Sequence, residues 1–382
     1  FGNSGVGTVT ITTTGTQTYN ENATLAQDAV FNSSGDVVIS GTLDGAQALT
    51  INSSGLTNLS GNIGGTTALT TITTDAGGTL QIANLRTSGT QTFGEALITL
   101  TGGTIERTEA AGAITFAQAV TLTGNVVVQT NAGDVTFSST VNGAAELLVN
   151  SSAATTFTGA VGGITRLDGL TTDAGGTLTV GSVSTTGDQV FNDATITLNG
   201  TYDTSGGSFL IDNANTTVIN LAGDVIIDTG ATTNAVVSIT GAANSEIRAA
   251  GDGVQSLTIN NVGTVANGGV TGVQIFALTG VTGSRLSSFT SNAGGAIDIV
   301  SVLTTGNQIF NDATVQLGGV YTAGGSFDTG ANSAVLLADT TLITSVNGLT
   351  FGSTVDGIQI LSLTAGAGNI AVNGAVGGTT RL

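Results

Sequence analysis

Apolar and polar residues alternate along this chain in short runs. TVTITTTG (from Thr8), DVVISGTL (from Asp36), DVTFSSTV (from Asp134) and ATITLNGTY (from Ala194) place Val, Ile, Leu or Phe at every second position. A period of two marks a half-buried strand, because successive side chains of a strand point to opposite faces. Gly, Asn, Asp and Ser clusters interrupt these runs at short intervals, which is turn chemistry. No segment carries the 3.6-residue period of a helix. The expectation is an all-β chain of many short strands.

The runs belong to four motifs that recur in the same order. The first is TTGTQTYNENATL (Thr13 to Leu25), with TSGTQTFGEALITL, TTGDQVFNDATITL and TTGNQIFNDATVQL as its later copies; its glutamines are Gln17, Gln91, Gln189 and Gln308. The second is LDGAQALTI (from Leu43), VNGAAELLV (from Val141), GDGVQSLTI (from Gly251) and VDGIQILSL (from Val355). The third is IGGTTAL (from Ile63), VGGITRL (from Val161), VTGSRL (from Val281) and VGGTTRL (from Val376). The fourth is TTDAGGTL, at Thr73 and Thr171, with SNAGGAI at Ser291.

Successive glutamines are 74, 98 and 119 residues apart. That defines a super-repeat of roughly 100 residues, with copies at about 1–86 (partial), 87–184, 185–303 and 304–382 (partial). The short first interval points to a segment missing before Asp36, and the long third to an insertion around 205–251. Repetition of short strands with no hairpin set apart predicts a parallel β-helix, or β-solenoid. Coils of roughly 20 residues place roughly five coils in each super-repeat, in one continuous solenoid over 1–382. The glutamines are expected to form amide ladders or to satisfy turns. Both ends of the chain fall inside a super-repeat, so continuation in a larger chain or end-to-end self-association is expected.

Composition narrows the chemistry. Gly numbers 59, whereas Pro, Cys, Met, Trp and His are absent, and all six basic residues are arginine. No His or Cys means no ordinary zinc, copper, iron–sulfur or haem site, no disulfide, and no Ser–His or Cys–His nucleophile. No lysine means no Schiff base. A net charge of −19 opposes a nucleic-acid partner, since nothing neutralises phosphates. No apolar run is long enough for a membrane span.

The remaining candidates are oxygen groups. Asp36, Asp134 and Asp224 follow Gly and precede Val-rich strands, and Asp75 and Asp173 sit in TTDAGG. Oxygen-rich turns hold Ca²⁺, so these five are the calcium candidates, although neither an EF-hand loop nor a GGxGxDx array occurs; solvated turn carboxylates are the alternative. Glu106 and Glu109 flank Arg107 in the one locally charged patch, and Glu246 with Arg248 forms a smaller one. Paired acids of this kind would suit polysaccharide cleavage, but no compact acid cluster recurs and no catalytic residue is assigned. Threonine runs (Thr8 to Thr14, Thr155 to Thr158) raise the further idea of a hydroxyl face of the ice-binding kind, but the repeats keep no TxT at a fixed place.

The phrases TTGDQVFNDATITL, FSSTVNGAAELLV and FTGAVGGITRLDGLTTDAGGTLTV resemble the strand-repeat regions of very large bacterial surface proteins, of the filamentous-haemagglutinin-like or autotransporter-like kind. The resemblance covers essentially the whole chain. It implies a secreted, extracellular or cell-surface fibre with roles in adhesion, aggregation or biofilm matrix, and it carries no catalytic residues over. A structural shaft is therefore the leading expectation. The first alternative is a face that binds carbohydrate or a host surface. A polysaccharide-active enzyme or an ice-binding protein comes behind both.

Overall fold

The structure is a computed structural model and describes residues 7–109, 112–173, 175–230, 235–242, 245–261, 273–275 and 278–382. The described residues contain strands, turns and bends but no helix. Among the described residues the ladders between strands are parallel, and in-register partners are generally one coil apart in sequence. This is a β-solenoid. The chain divides into two compact units, Phe1–Gly181 and Ser182–Leu382.

In the first unit each coil turns through three faces. The first face stacks Thr8–Thr13 under Asp28–Ser33, then Ala48–Ser53, and onward to Thr177–Val180. The second stacks Gln17–Tyr19 under Val37–Ile39 and continues through Leu97–Leu100 to Val141. The third runs from Ala23–Thr24 through Leu43–Asp44, Gly103–Arg107 and Val126–Thr130 to Gly169–Thr172. Some strands, such as Leu56–Ile63 and Thr79–Thr87, bend round a corner and serve two faces, and their pairing shifts register between Ile82 and Asn84. The second unit winds in the same way, with strands such as Val218–Gly230 spanning two faces.

Period-two patterning places one side chain in each pair inside the coil. The interior is thin, so each layer is a column of like residues. Phe93, Phe116, Phe137 and Phe157 stack with ring centroids 5.1, 4.7 and 4.8 Å apart and near-parallel planes. That spacing is the inter-strand distance itself, so the ladder sets the ring stack. Tyr202 and Tyr321 are fully buried, and their hydroxyls accept the backbone N–H of Asn199 and Gly318 at the adjacent corners. The tyrosines therefore line no surface groove at those positions.

Coil length in the first unit stays near its expected value. Ala29 stands over Val9, Ile72 over Leu49 and Val135 over Ile114. In the second unit the steps from coil to coil lengthen. Ile247 stands over Ile219, and Leu278 over Glu246, so these coils are longer than any of those three.

The super-repeat does not span five whole coils. In the first unit Gln17 lies on the second face and Gln91 on the first. Leu49 lies on the first face, and its counterpart Leu147 on the third. Ile63 lies on the third and Val161 on the second. Every motif retreats by one face. The second unit repeats the pattern: Gln189 lies on the face of Phe209 and Val237, whereas Gln308 lies one face back, between Phe289 and Phe327. Counting strands from Leu49 to Leu147, or from Gln189 to Gln308, gives four and two-thirds coils. From Gln17 to Gln91 it gives three and two-thirds. The short first copy has thus lost one whole coil, and the long third copy has gained residues without gaining a face.

Candidate functional site

The first motif forms a corner staple. In all four copies the leading threonine (Thr13, Thr87, Thr185 or Thr304) donates its hydroxyl to the carbonyl of the glycine two residues on. The glutamine four residues later points inward and is at most 5% exposed. Its amide donates to that threonine's oxygen and to a carbonyl 14 or 15 residues on: Asn32, Glu106, Asp203 or Thr322. The glutamines satisfy turns and form no amide ladder with one another. In the first copy Tyr19 donates its hydroxyl to Gln17 Oε1 at 2.9 Å. The later copies carry Phe at that place, and Oε1 of Gln91, Gln189 and Gln308 is buried with no donor.

The second and third motifs lock to each other. Asp44 Oδ1 accepts the N–H groups of Thr66 and Thr67, Asn142 those of Ile164 and Thr165, and Asp356 those of Thr379 and Thr380. In the remaining copy Asp252 accepts the N–H of Arg285 and a two-pronged bond from its guanidinium, at 2.9 and 2.6 Å. That side-chain pairing holds Asp252 down at about 2. Gly64, Gly162, Gly280 and Gly377 open these loops with φ between +63° and +72°, a conformation glycine adopts without strain. The third copy therefore begins at Thr279–Gly280, two residues before Val281, because Thr279 occupies the stacked position that Ile63 and Val161 hold. The loops project, and Ile164 is 87% exposed at its tip.

The five calcium candidates do comparable work. Asp36 accepts the N–H of Leu56, Asp75 that of Ser53, Asp134 that of Ala154, Asp173 that of Ser151 and Asp224 that of Ser256, at 2.7 to 3.1 Å. Each ties one coil to its neighbour. Burial pushes the Asp173 carboxyl up from its ordinary value. Among the described residues no group of three or more acidic side chains gathers where a metal ion would sit.

The charged patch around Arg107 is divided by strand alternation. Glu106 faces outward and pairs with Arg86 of the preceding coil at 3.3 Å. Arg107 faces inward, is 1% exposed, and donates to the Glu109 carbonyl. Burial lowers its pKa against the pull of Asp134 and Glu109. Glu246 and Arg248 pair within one strand. On the third face of the first unit, Arg86, Glu106, Gln129 and Asn150 stand in register on successive coils. Two adjoining clefts flank this row. One, of about 360 Å³, is lined by Glu106, Thr108, Gln129, Asn131 and Asn150 among others. The other, of about 200 Å³, adds Asn62, Asn84 and Thr104. Together they form a polar groove of amides, hydroxyls and one ion pair.

Two features were not legible in the residue pattern. The residue four after each glutamine is acidic: Glu21, Glu95, Asp193 and Asp312. Glu95, Asp193 and Asp312 are completely buried. Their constant place in the motif was the available signal. The other feature is a threonine column on the first face of the first unit. It runs Thr10, Val30, Thr50, Thr73, Thr92, Thr115, Thr136, Thr156, Thr179. It supplies one threonine on nearly every coil, and the flanking positions vary (Asp28, Ala48, Asn32, Asn52).

Comparison with protein-family models, with curated proteins and with solved structures finds no match to this chain.

Proposed function

We propose that the chain is a segment of an extracellular structural fibre or adhesin shaft, at a bacterial surface or in its matrix, without a catalytic role. One observation carries this reading: all four motifs are spent on joining coil to coil. The staple, the loop lock and the aspartate bridges each cross between neighbouring coils in every copy where they are seen. A fold that repeats its own fastening, and little else, suits a mechanical task. The resemblance to bacterial strand-repeat surface proteins supports the same reading. The acids with the chemistry for hydrolysis are separated by alternation or bound to backbone amides. Immunogold labelling of intact producing cells, with an antibody against the exposed Ile164 loop, is expected to mark fibres outside the cell. Label confined to the cell interior sinks the reading.

A second reading rests on the polar groove of the third face, with saccharide as its ligand. Rows of amides and hydroxyls at strand spacing match the hydroxyls of a sugar chain laid across the coils. A glycan array should then show binding that the double variant Arg86→Ala, Gln129→Ala weakens at least about tenfold, the loss of roughly one good charged contact. Equal binding by the variant rules the groove out.

A further inference from the structure

Glu95 and Asp312 occupy equivalent places in two super-repeats, one in each compact unit. Both are completely buried. Glu95 Oε2 accepts the hydroxyl of Thr74, and its other oxygen has no donor. Asp312 Oδ1 accepts the Ser291 hydroxyl at 2.7 Å and the Ala293 N–H at 3.0 Å, and its other oxygen has no donor. Thr74 and Ser291 are also equivalent, each standing just before Asp75 or Asn292 of the fourth motif. The acid therefore sits at the seam where the last motif of one super-repeat stacks under the first motif of the next.

Among the described residues no cation reaches either carboxyl, and the ion pairs Arg86–Glu106, Arg248–Glu246 and Arg285–Asp252 all lie elsewhere. The charged group facing Glu95 is Asp75, of the same sign, and none bears on Asp312. A buried carboxylate with no counter-charge and one undonated oxygen is costly, and taking up a proton relieves the cost.

We propose that these two seams are acid-favoured locks, held by Glu95 and Asp312 as neutral carboxylic acids and loosened when those acids ionise as pH rises to neutrality and above. Burial agrees, pushing Glu95 up to about 7 and Asp312 up to about 6. Both folded values lie above the ordinary 4.5 and 3.8. The folded chain then binds more protons than the unfolded one, so this contribution is full below about pH 4 and is lost as pH rises through 6 to 7.

The test is denaturant unfolding of the full chain at pH 5 and pH 8, for wild type, Glu95→Gln, Asp312→Asn and the double variant. The wild-type unfolding constant should rise with pH by an extra factor on the order of tenfold from Asp312 and a hundredfold from Glu95. Each single variant should remove its own share, and the double variant should keep only the slope of the chain's other acids, buried Asp193 among them. Parallel pH profiles for wild type and double variant overturn the proposal. If the variants fail to fold, wild type decides alone. Its infrared spectrum at pH 6 should keep the carbonyl band of an un-ionised carboxylic acid, and absence of that band overturns the lock.

Discussion

Gln308 is the residue on which a corner depends most visibly. Its amide donates to Val302 O, Thr304 Oγ1 and Thr322 O at 2.9 to 3.3 Å, and it is completely buried. Replacing it with Leu strands two carbonyls away from water. Buried unpaired acceptors cost on the order of 1–3 kcal/mol each, so Gln308→Leu should destabilise the second unit by about 2–4 kcal/mol. A shift of the denaturation midpoint smaller than that of a half-buried control such as Thr305→Ala would contradict the staple. The glutamine itself was readable as a recurring residue. Its partner on the next coil, Thr322 O, was not, because that carbonyl is brought near only by winding. The same limit governs the aspartates: Asp36 and Asp134 stood out beside glycines, yet the Leu56 and Ala154 amides they accept lie 20 residues away. Those amides already occupy the carboxylates, so removing Ca²⁺ with a chelator is expected to leave the melting temperature of either unit unchanged within about 1 °C, below the roughly 2–4 °C shift that a 1 kcal/mol loss gives a unit of about 200 residues. A larger drop would restore calcium to these turns.

At the scale of the coil, length is quantised. A coil is three faces, and a deletion that keeps the inward and outward sets aligned must remove three faces together. Deleting Val135–Ala154 removes one such coil and sets Thr155 directly over Ile114, in the place Val135 held. The shortened chain should fold with an unfolding transition as cooperative as wild type. Removing only Val135–Thr140 takes out a single face and carries later residues onto the wrong stacks, so it should collapse the first unit. Circular dichroism and denaturant unfolding of the two deletions separate these outcomes, and equal tolerance of both would refute the three-face account. The strands and the coil length were legible because alternation and turn residues are local. The one-face retreat of each motif was not, because it depends on summing corner lengths that the sequence does not mark. The path from Leu49 to Leu147 and the longer path from Gln189 to Gln308 cross the same number of strands. Only paired backbones reveal it.

At the scale of the molecule, the two units should differ in how they yield to proteases. The first keeps its coils close to one length, as the steps from Leu49 to Ile72 and from Ile72 to Gln91 show. The second takes longer steps on one face, from Ile219 to Ile247 and from Ile247 to Thr279. Among the described residues, the corner between Glu246–Ala249 and Leu257–Asn261 has seven residues, against three between Asp28–Ser33 and Val37–Ile39. Longer corners expose more backbone and are the usual sites of nicking. Trypsin is a poor probe, since only six arginines exist and Arg107 is buried. Elastase cuts beside small apolar residues, which this chain carries throughout. Its first cuts should fall between Leu221 and Phe289, leaving an intact N-terminal fragment that contains the whole first unit. Mass spectrometry of the early digest reads the boundary directly. First cuts between Asn20 and Leu170 would mean that corner length does not set vulnerability, and that coil-to-coil fastening is weaker in the first unit than its uniform winding implies.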